Sequence, residues 1–228
     1  MKNILITGGT GYIGSHTSLA LLKRGFNLTI IDSNINSSQL SINRIKRILK
    51  NDYLEEKIFF FKGDIRDKKF LDQIFFNAKK QKNPIQGVIH FAGLKAVSES
   101  LFKPLLYWEN NVYGSICLFE IMRKYDCKNI VYTGGEPMLN DLWPLTRLLR
   151  KRGYNISIES NGTIPIPDGL IDWICISPKD QLYPNVSIKQ RNGNELKCVY
   201  VGQDLSLYDD LIGGFDHLFL QPCYIDSQ

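Results

Sequence analysis

The stretch Thr7-Gly8-Gly9-Thr10-Gly11-Tyr12-Ile13-Gly14 decides how the first half of this chain folds. It follows the apolar run Ile4-Leu5-Ile6 and opens a helical pattern that continues to Arg24. A strand, a glycine turn and a helix N-terminus together make an anion site, because unpaired backbone N–H groups and the helix dipole converge on one spot. Side chains would bar close approach there, so glycine is needed. The spacing Gly8-x-x-Gly11-x-x-Gly14 is a variant of the dinucleotide-binding fingerprint. Asp32 closes the next strand, Asn27-Leu28-Thr29-Ile30-Ile31, and supplies the acid that completes the pattern. Strand before, helix after and acid beyond favour a ligand-binding turn over a tight βα turn that binds nothing.

The pattern then repeats. Ser37 to Lys50 reads as a helix with Leu40, Ile42, Ile45, Ile48 and Leu49 on one side, and Ile58-Phe59-Phe60-Phe61 as a buried strand. Asp67 can cap a helix carrying Phe70, Leu71, Ile74 and Phe75. Gly87 to Phe91 is a fourth strand, Pro104 can open a helix running to about Tyr125, and Lys128 to Tyr132 is a fifth strand. Alternating strands and helices predict an α/β fold, a Rossmann-like doubly wound parallel sheet with ligands at its C-terminal edge.

Composition narrows the function classes. The 228 residues, 43% hydrophobic and 22% charged, suit one or two ordinary globular domains. The net charge of +5 comes with basic clusters at Arg44, Lys46, Arg47, Lys50 and at Arg147, Arg150, Lys151, Arg152. No aromatic platform interleaves them, so they read as solvated helix faces and not as a nucleic-acid surface. Cys117, Cys127, Cys175, Cys198 and Cys223 are odd in number and scattered, which fits reduced thiols in a cytoplasm. There is no bilayer-length apolar run and no charged-then-apolar leader, so no membrane partner is expected. His16 and His90 fall inside a helix and a strand, where packing roles are expected.

Beyond the glycine turn, GDIRD at Gly63–Asp67, HFAGLKAVSES at His90–Ser100 and NNVYG at Asn110–Gly114 resemble the UDP-glucose 4-epimerases, members of the extended short-chain dehydrogenases. The resemblance covers residues 1–132. It implies NAD as cofactor and a nucleotide-sugar substrate. It implies that Gly8, Gly11 and Gly14 pass the NAD pyrophosphate, with Tyr12 and Ile13 beside them. Asp32 would hold the adenosine ribose hydroxyls, Asp64 and Ile65 would contact adenine, and Lys95 and Asn110 would lie toward the nicotinamide, with Phe91, Ala92 and Gly93 completing the site. A carboxylate at Asp32 accepts hydrogen bonds from a diol and repels a 2′-phosphate, which favours NAD over NADP.

In that family the fifth strand leads to a catalytic Ser or Thr and then to Tyr-x-x-x-Lys. Here Tyr132 is followed by Thr133-Gly134-Gly135-Glu136-Pro137, and the chain's Tyr-x-x-x-Lys, Tyr53 to Lys57, precedes the third strand. No catalytic residue is therefore assigned. From Thr133 the chain resembles a radical S-adenosylmethionine enzyme, 7-carboxy-7-deazaguanine synthase of queuosine biosynthesis. TGGEPMLND at Thr133–Asp141, PLTRLLRKRGY at Pro144–Tyr154, IESNGT at Ile158–Thr163, ISPK at Ile176–Lys179 and LQP at Leu220–Pro222 carry that resemblance. It implies that Gly134, Gly135, Glu136, Ser160, Ser177, Lys179 and Gln221 are the remnant of a cofactor and substrate cavity. The cysteine spacing supplies no triad for an iron–sulfur cluster, and no metal site is expected. The expectation is a Rossmann-like domain at 1–132 continued by βα units of a partial radical-enzyme barrel at 133–228, with Asn155–Ile158 added beside the fifth strand. Such a join has three readings: an NAD-binding epimerase-like protein, a radical-enzyme relative, or a non-catalytic chimera.

Overall fold

A computed structural model of the chain describes residues 2–49, 55–133, 136–179 and 187–222. The chain divides into two compact units, Met1–Lys128 and Asn129–Gln228.

In the first unit, β1 (Asn3–Thr7), β2 (Asn27–Asp32), β3 (Ile58–Lys62) and β4 (Ile85–His90) form a parallel sheet in the order β3-β2-β1-β4. Its helices are α1 (Tyr12–Lys23), α2 (Leu40–Leu49), α3 (Lys68–Lys80), α4 (Val97–Phe102), α5 (Pro104–Trp108) and α6 (Gly114–Lys124). Alternation along β1 sends Leu5 to one face and Ile6 to the other, and both are fully buried. Ile6 packs with Leu22, Ile42 and Ile45 from α1 and α2. Leu5 packs with Leu71 and Phe75 of α3 and with Cys117 and Leu118 of α6. Helices thus cover both faces, which is why the strands read as continuous apolar runs.

Asp67 caps α3 as expected, accepting from Lys69 N and Phe70 N at 3.0 Å each. The helix expected from Ser37 starts instead at Leu40, because Ser37 Oγ donates to Asp32 in the preceding loop. The helix expected from Pro104 to Tyr125 is interrupted by a π-helical segment, Glu109–Tyr113, between α5 and α6.

The second unit is also a parallel sheet, β5 (Asn129–Tyr132), β6 (Asn155–Ser160), β7 (Trp173–Ile176), β8 (Gly193–Tyr200) and β9 (Phe215–Pro222), in chain order. Between β5 and β6 lie a 3₁₀ turn (Pro137–Leu139) and α7 (Trp143–Lys151); α8 (Asp209–Ile212) precedes β9. β5, expected as the fifth strand of the first sheet, is an edge strand of this second one. Its Ile130 and Tyr132 stand opposite Ile156 and Ile158, and Ile130 packs on Leu149 of α7. Its apolar partners therefore come from the residues that follow it. At the other edge, Leu218, Phe219 and Leu220 of β9 are each more than half exposed.

Candidate functional site

The first unit gathers its polar groups at the C-terminal ends of its strands. Gly8 has φ of +69°, and a Cβ there would lie 2.6 Å from the Phe91 carbonyl carbon, so β1 turns directly against the end of β4. At Gly14 a Cβ would fall 2.3 Å from Gly8 O, which fixes α1 hard against the turn. Gly11 differs, because a Cβ there meets only Gly8 O at 3.3 Å. It is the N-cap of α1 and offers no side-chain cap, so the first turn keeps N–H groups that a ligand can use.

Asp32, at the end of β2, is buried and accepts from Thr10 N at 3.0 Å, Asn34 N at 2.9 Å and Ser37 Oγ at 2.8 Å. A carboxylate has roughly four lone-pair positions, so these three donors leave about one for a ligand. Asn34 sits at φ of +57° and ties the loop together by donating to Thr10 Oγ1. Asp64 pairs with Arg66, whose NH2 lies 2.6 Å from the carboxylate. The side-chain hydrogen bond from Arg66 holds the Asp64 carboxyl below its usual range.

The opposite side is built by the π-helical segment. It turns two successive asparagines toward the strand β4 loop. Asn110 Nδ2 donates to Ala92 O at 2.8 Å. Asn111 clasps Leu94 from both sides, accepting from its N–H at 2.8 Å and donating to its carbonyl at 2.9 Å. Lys95 is exposed at the rim. Behind them His90 bonds to Thr7 Oγ1 through Nδ1 (2.6 Å) and to Ser115 Oγ through Nε2 (3.1 Å), and burial lowers its pKa. His90 thus packs, as expected. His16 does not; it is exposed on α1 with its ring 4.8 Å from that of Tyr12.

These parts enclose a cleft of about 300 Å³. Every cofactor residue expected from the sequence lines it: Gly8, Gly11, Tyr12, Ile13, Gly14, Asp32, Asp64, Ile65, Phe91, Ala92, Gly93, Lys95 and Asn110. Ser33, Ile35 and Asn36 line it too and were missed, although the polar run after Asp32 signals a loop at the strand end. Asn111 was missed as well; the signal was a doubled asparagine in a helical pattern.

In the second unit, Gly134 and Gly135 lie outside the described residues. Glu136 accepts from Ser160 Oγ at 2.8 Å, Asn161 N at 2.7 Å and Met138 N at 3.1 Å. Ser177 and Lys179 form a second group, Nζ to Oγ 2.8 Å, and burial and the nearby Lys197 lower the lysine's pKa. Gln221 is exposed on β9 opposite Val199, and the register puts it on the other sheet face from Ser160. Cys117, Cys127, Cys175 and Cys198 are free and buried. Among the described residues no group of three His, Cys, Asp or Glu side chains could hold a metal ion, and no helix is long and apolar enough to cross a membrane. Tyr53 lies outside the described residues, and Lys57 is buried.

Comparison with known proteins finds a likeness that takes in nearly all of the first unit and continues into β5. The family model described as GDP-mannose 4,6 dehydratase matches residues 5–133. UDP-glucose 4-epimerase 2 of Arabidopsis thaliana is 43% identical over 143 residues, 63% of this chain and 38% of the relative. A UDP-glucose 4-epimerase of Neisseria meningitidis is 45% identical over 141 residues, 62% of this chain and 39% of the relative. The chain thus spans under two fifths of the length of these curated relatives. Among solved structures, UDP-glucose 4-epimerase from Bifidobacterium longum in complex with NAD+ and UDP aligns with TM-score 0.56 and 28% identity, over 75% of this chain and 56% of that one. The Stenotrophomonas maltophila enzyme with bound NAD and formylated UDP-arabinopyranose gives 0.55 and 28% over the same shares, 75% and 56%.

Proposed function

The chain belongs, through residues 5–133, to the GDP-mannose 4,6 dehydratase family, and on that premise we propose that its first unit binds NAD in the glycine-turn cleft. The observation that carries this reading is the uncapped N-terminus of α1, whose Gly11, Tyr12, Ile13 and Gly14 line the cleft together with Asp32. Backbone N–H groups there would hold the pyrophosphate without the bulk of a side chain. Asp32 would take a ribose hydroxyl at the acceptor position its three loop donors leave. Asp64 and Ile65 would flank adenine, and Phe91, Ala92, Gly93, Lys95 and Asn110 would receive the nicotinamide half. Bound NAD supplies reversible hydride acceptance. The role of the chain is to orient it and exclude a 2′-phosphate. Fluorescence titration with NADH tests this: saturable binding is expected, and a folded sample that binds none at about millimolar NADH, the weak end of useful affinity, ends the reading. Asp32→Ala is expected to weaken NAD more than NADP, since it deletes an acceptor and a repulsive charge together.

We further propose that nucleotide-sugar epimerisation is absent. After β5 the chain has no tyrosine base of the family's Tyr-x-x-x-Lys type. Tyr132 does not replace it, because burial raises its pKa and so disfavours the phenolate. Loss of general acid–base help costs roughly 10²–10⁴-fold. A coupled assay of UDP-galactose conversion is expected at background, and turnover above about 0.1 per second, two decades under a median enzyme, would reverse this reading.

A second reading applies to residues 133–228 as a fragment of a 7-carboxy-7-deazaguanine synthase-like radical S-adenosylmethionine enzyme. The Glu136–Ser160 pair is what favours it. The Glu136 carboxylate takes three protein donors, as Asp32 does, and so keeps about one acceptor position. The thiols do not fit a cluster: burial pushes Cys127 up to about 11 and Cys175 up to about 12, away from the thiolate a cluster binds. The fragment is therefore read as a remnant, and the whole as an NAD-binding chimera without chemistry of its own. Anaerobic reconstitution with iron and sulfide should yield no stoichiometric [4Fe–4S] cluster; a stable brown protein would contradict this.

A further inference from the structure

A second cleft, of about 420 Å³, lies between α1 and α2 and shares Gly11 and Tyr12 with the first. Its chemistry differs from that of the dinucleotide cleft. The basic groups that line it are Arg44 of α2 and His16 of α1. Among the described residues no carboxylate lines it, and Arg44, exposed on its helix, has no ion-pair partner. Ser38 accepts from Leu40 N at 3.3 Å, which leaves its hydroxyl proton to give. Thr10, Ser15 and Ser41 also line it, but each gives its hydroxyl proton within the protein, to Ser37 Oγ, Tyr12 O and Ser38 O. The apolar lining includes Ile45, which is buried, and Leu40 and Ile48, which are more than half exposed. Two basic side chains and a hydroxyl donor above an aliphatic floor describe a host for an anion that carries an apolar body.

We propose that this groove binds a small amphipathic anion, a phosphate or carboxylate on an aromatic or aliphatic body, at a site separate from the dinucleotide cleft. Arg44 gives the forked charge-assisted contact, His16 the second donor, and Leu40, Ile45 and Ile48 cover the body. The inference does not rest on NAD binding.

Phenyl phosphate is a suitable probe, and the chain's three histidines make a clean reporter. In proton NMR at fixed pH, with the His16 resonance assigned through His16→Gln, phenyl phosphate is expected to move the His16 ring signals saturably and leave those of the partly buried His90 in place. Arg44→Ala should weaken the titration by about tenfold, the loss of one charge-assisted hydrogen bond, and Arg44→Lys should restore part of it. Since Arg44 is exposed, neither change threatens the fold. Saturating NADH should leave the titration standing. The proposal is overturned by a stationary His16 signal, by Arg44→Ala titrating like the parent, or by NADH abolishing the response, which would return the anion to the first cleft.

Discussion

Two helical starts in this molecule, at Tyr12 after β1 and at Pro137 after β5, treat their first N–H groups in opposite ways. After β1 the helix has Gly11 as its N-cap, and no side chain caps it. After β5 the Glu136 carboxylate accepts from Met138 N and Asn161 N and from the Ser160 hydroxyl. The first junction keeps donors for an anion that comes from outside; the second carries its own anion. Both stretches of sequence contain paired glycines, so glycine content alone does not separate a ligand site from a helical start that caps itself. The accounting of donors does.

The sharpest way to break this contrast is Gly14→Ala. Its new methyl group would meet Gly8 O at 2.3 Å, backbone against backbone, so a loss of about 3 kcal/mol, the upper range for overpacking, is expected together with loss of NADH binding. Gly11→Ala is the control, since its Cβ has 3.3 Å; its melting temperature should stay near the parent's. On the other side, Glu136→Ala strands the buried Ser160 hydroxyl and the Asn161 N–H. It should cost about 1–3 kcal/mol in urea unfolding, with NADH affinity unchanged. A change in NADH affinity would show that the two junctions do not act independently. Asn111→Ala removes both bonds to Leu94 and should weaken NADH several-fold by loosening the cleft wall, at a stability cost of about 1 kcal/mol.

The smallest effect concerns pH. Burial lowers the pKa of His90, so the folded ring stays neutral while the unfolded ring gains a proton as pH falls through about 6.5. Its share of stability is complete above that value and is lost as pH drops toward the lower folded one. His90→Gln, which can still bond to Thr7 and Ser115, should therefore show a shallower fall in melting temperature between pH 7 and pH 5, read by circular dichroism.

The first unit was legible because local and distant signals agreed there. The alternation of β1, the glycine turn and the acid after β2 each call for the same geometry, and the cleft contains the residues they name. What stayed hidden was pairing at a distance. Asn129–Tyr132 reads as a buried strand wherever it is put, and only Ile156, Ile158 and Leu149 decide which sheet receives it. Ser37 looks like a helix opener until Asp32 claims its hydroxyl. In the second unit, Glu136 and Ser160 meet, whereas Gln221 faces the other way because a strand's side chains alternate and its register was not readable from sequence.

The segment Glu109–Tyr113 has a consequence that belongs to angle and not to side-chain chemistry. Helical residues advance by about 100° each, and a π-helical turn inserts extra residue into that rotation. Within it, Asn110 and Asn111 aim at the loop after β4; downstream, Ser115 aims at His90 while Cys117 and Leu118 aim at the core. Removing a single residue between Asn111 and Ser115 would swing every later side chain by nearly a third of a turn, and the two sets of contacts could no longer be held together. The spacing of this segment therefore stores a phase, kept by the number of residues and indifferent to the identity of those, such as Val112, that merely fill it.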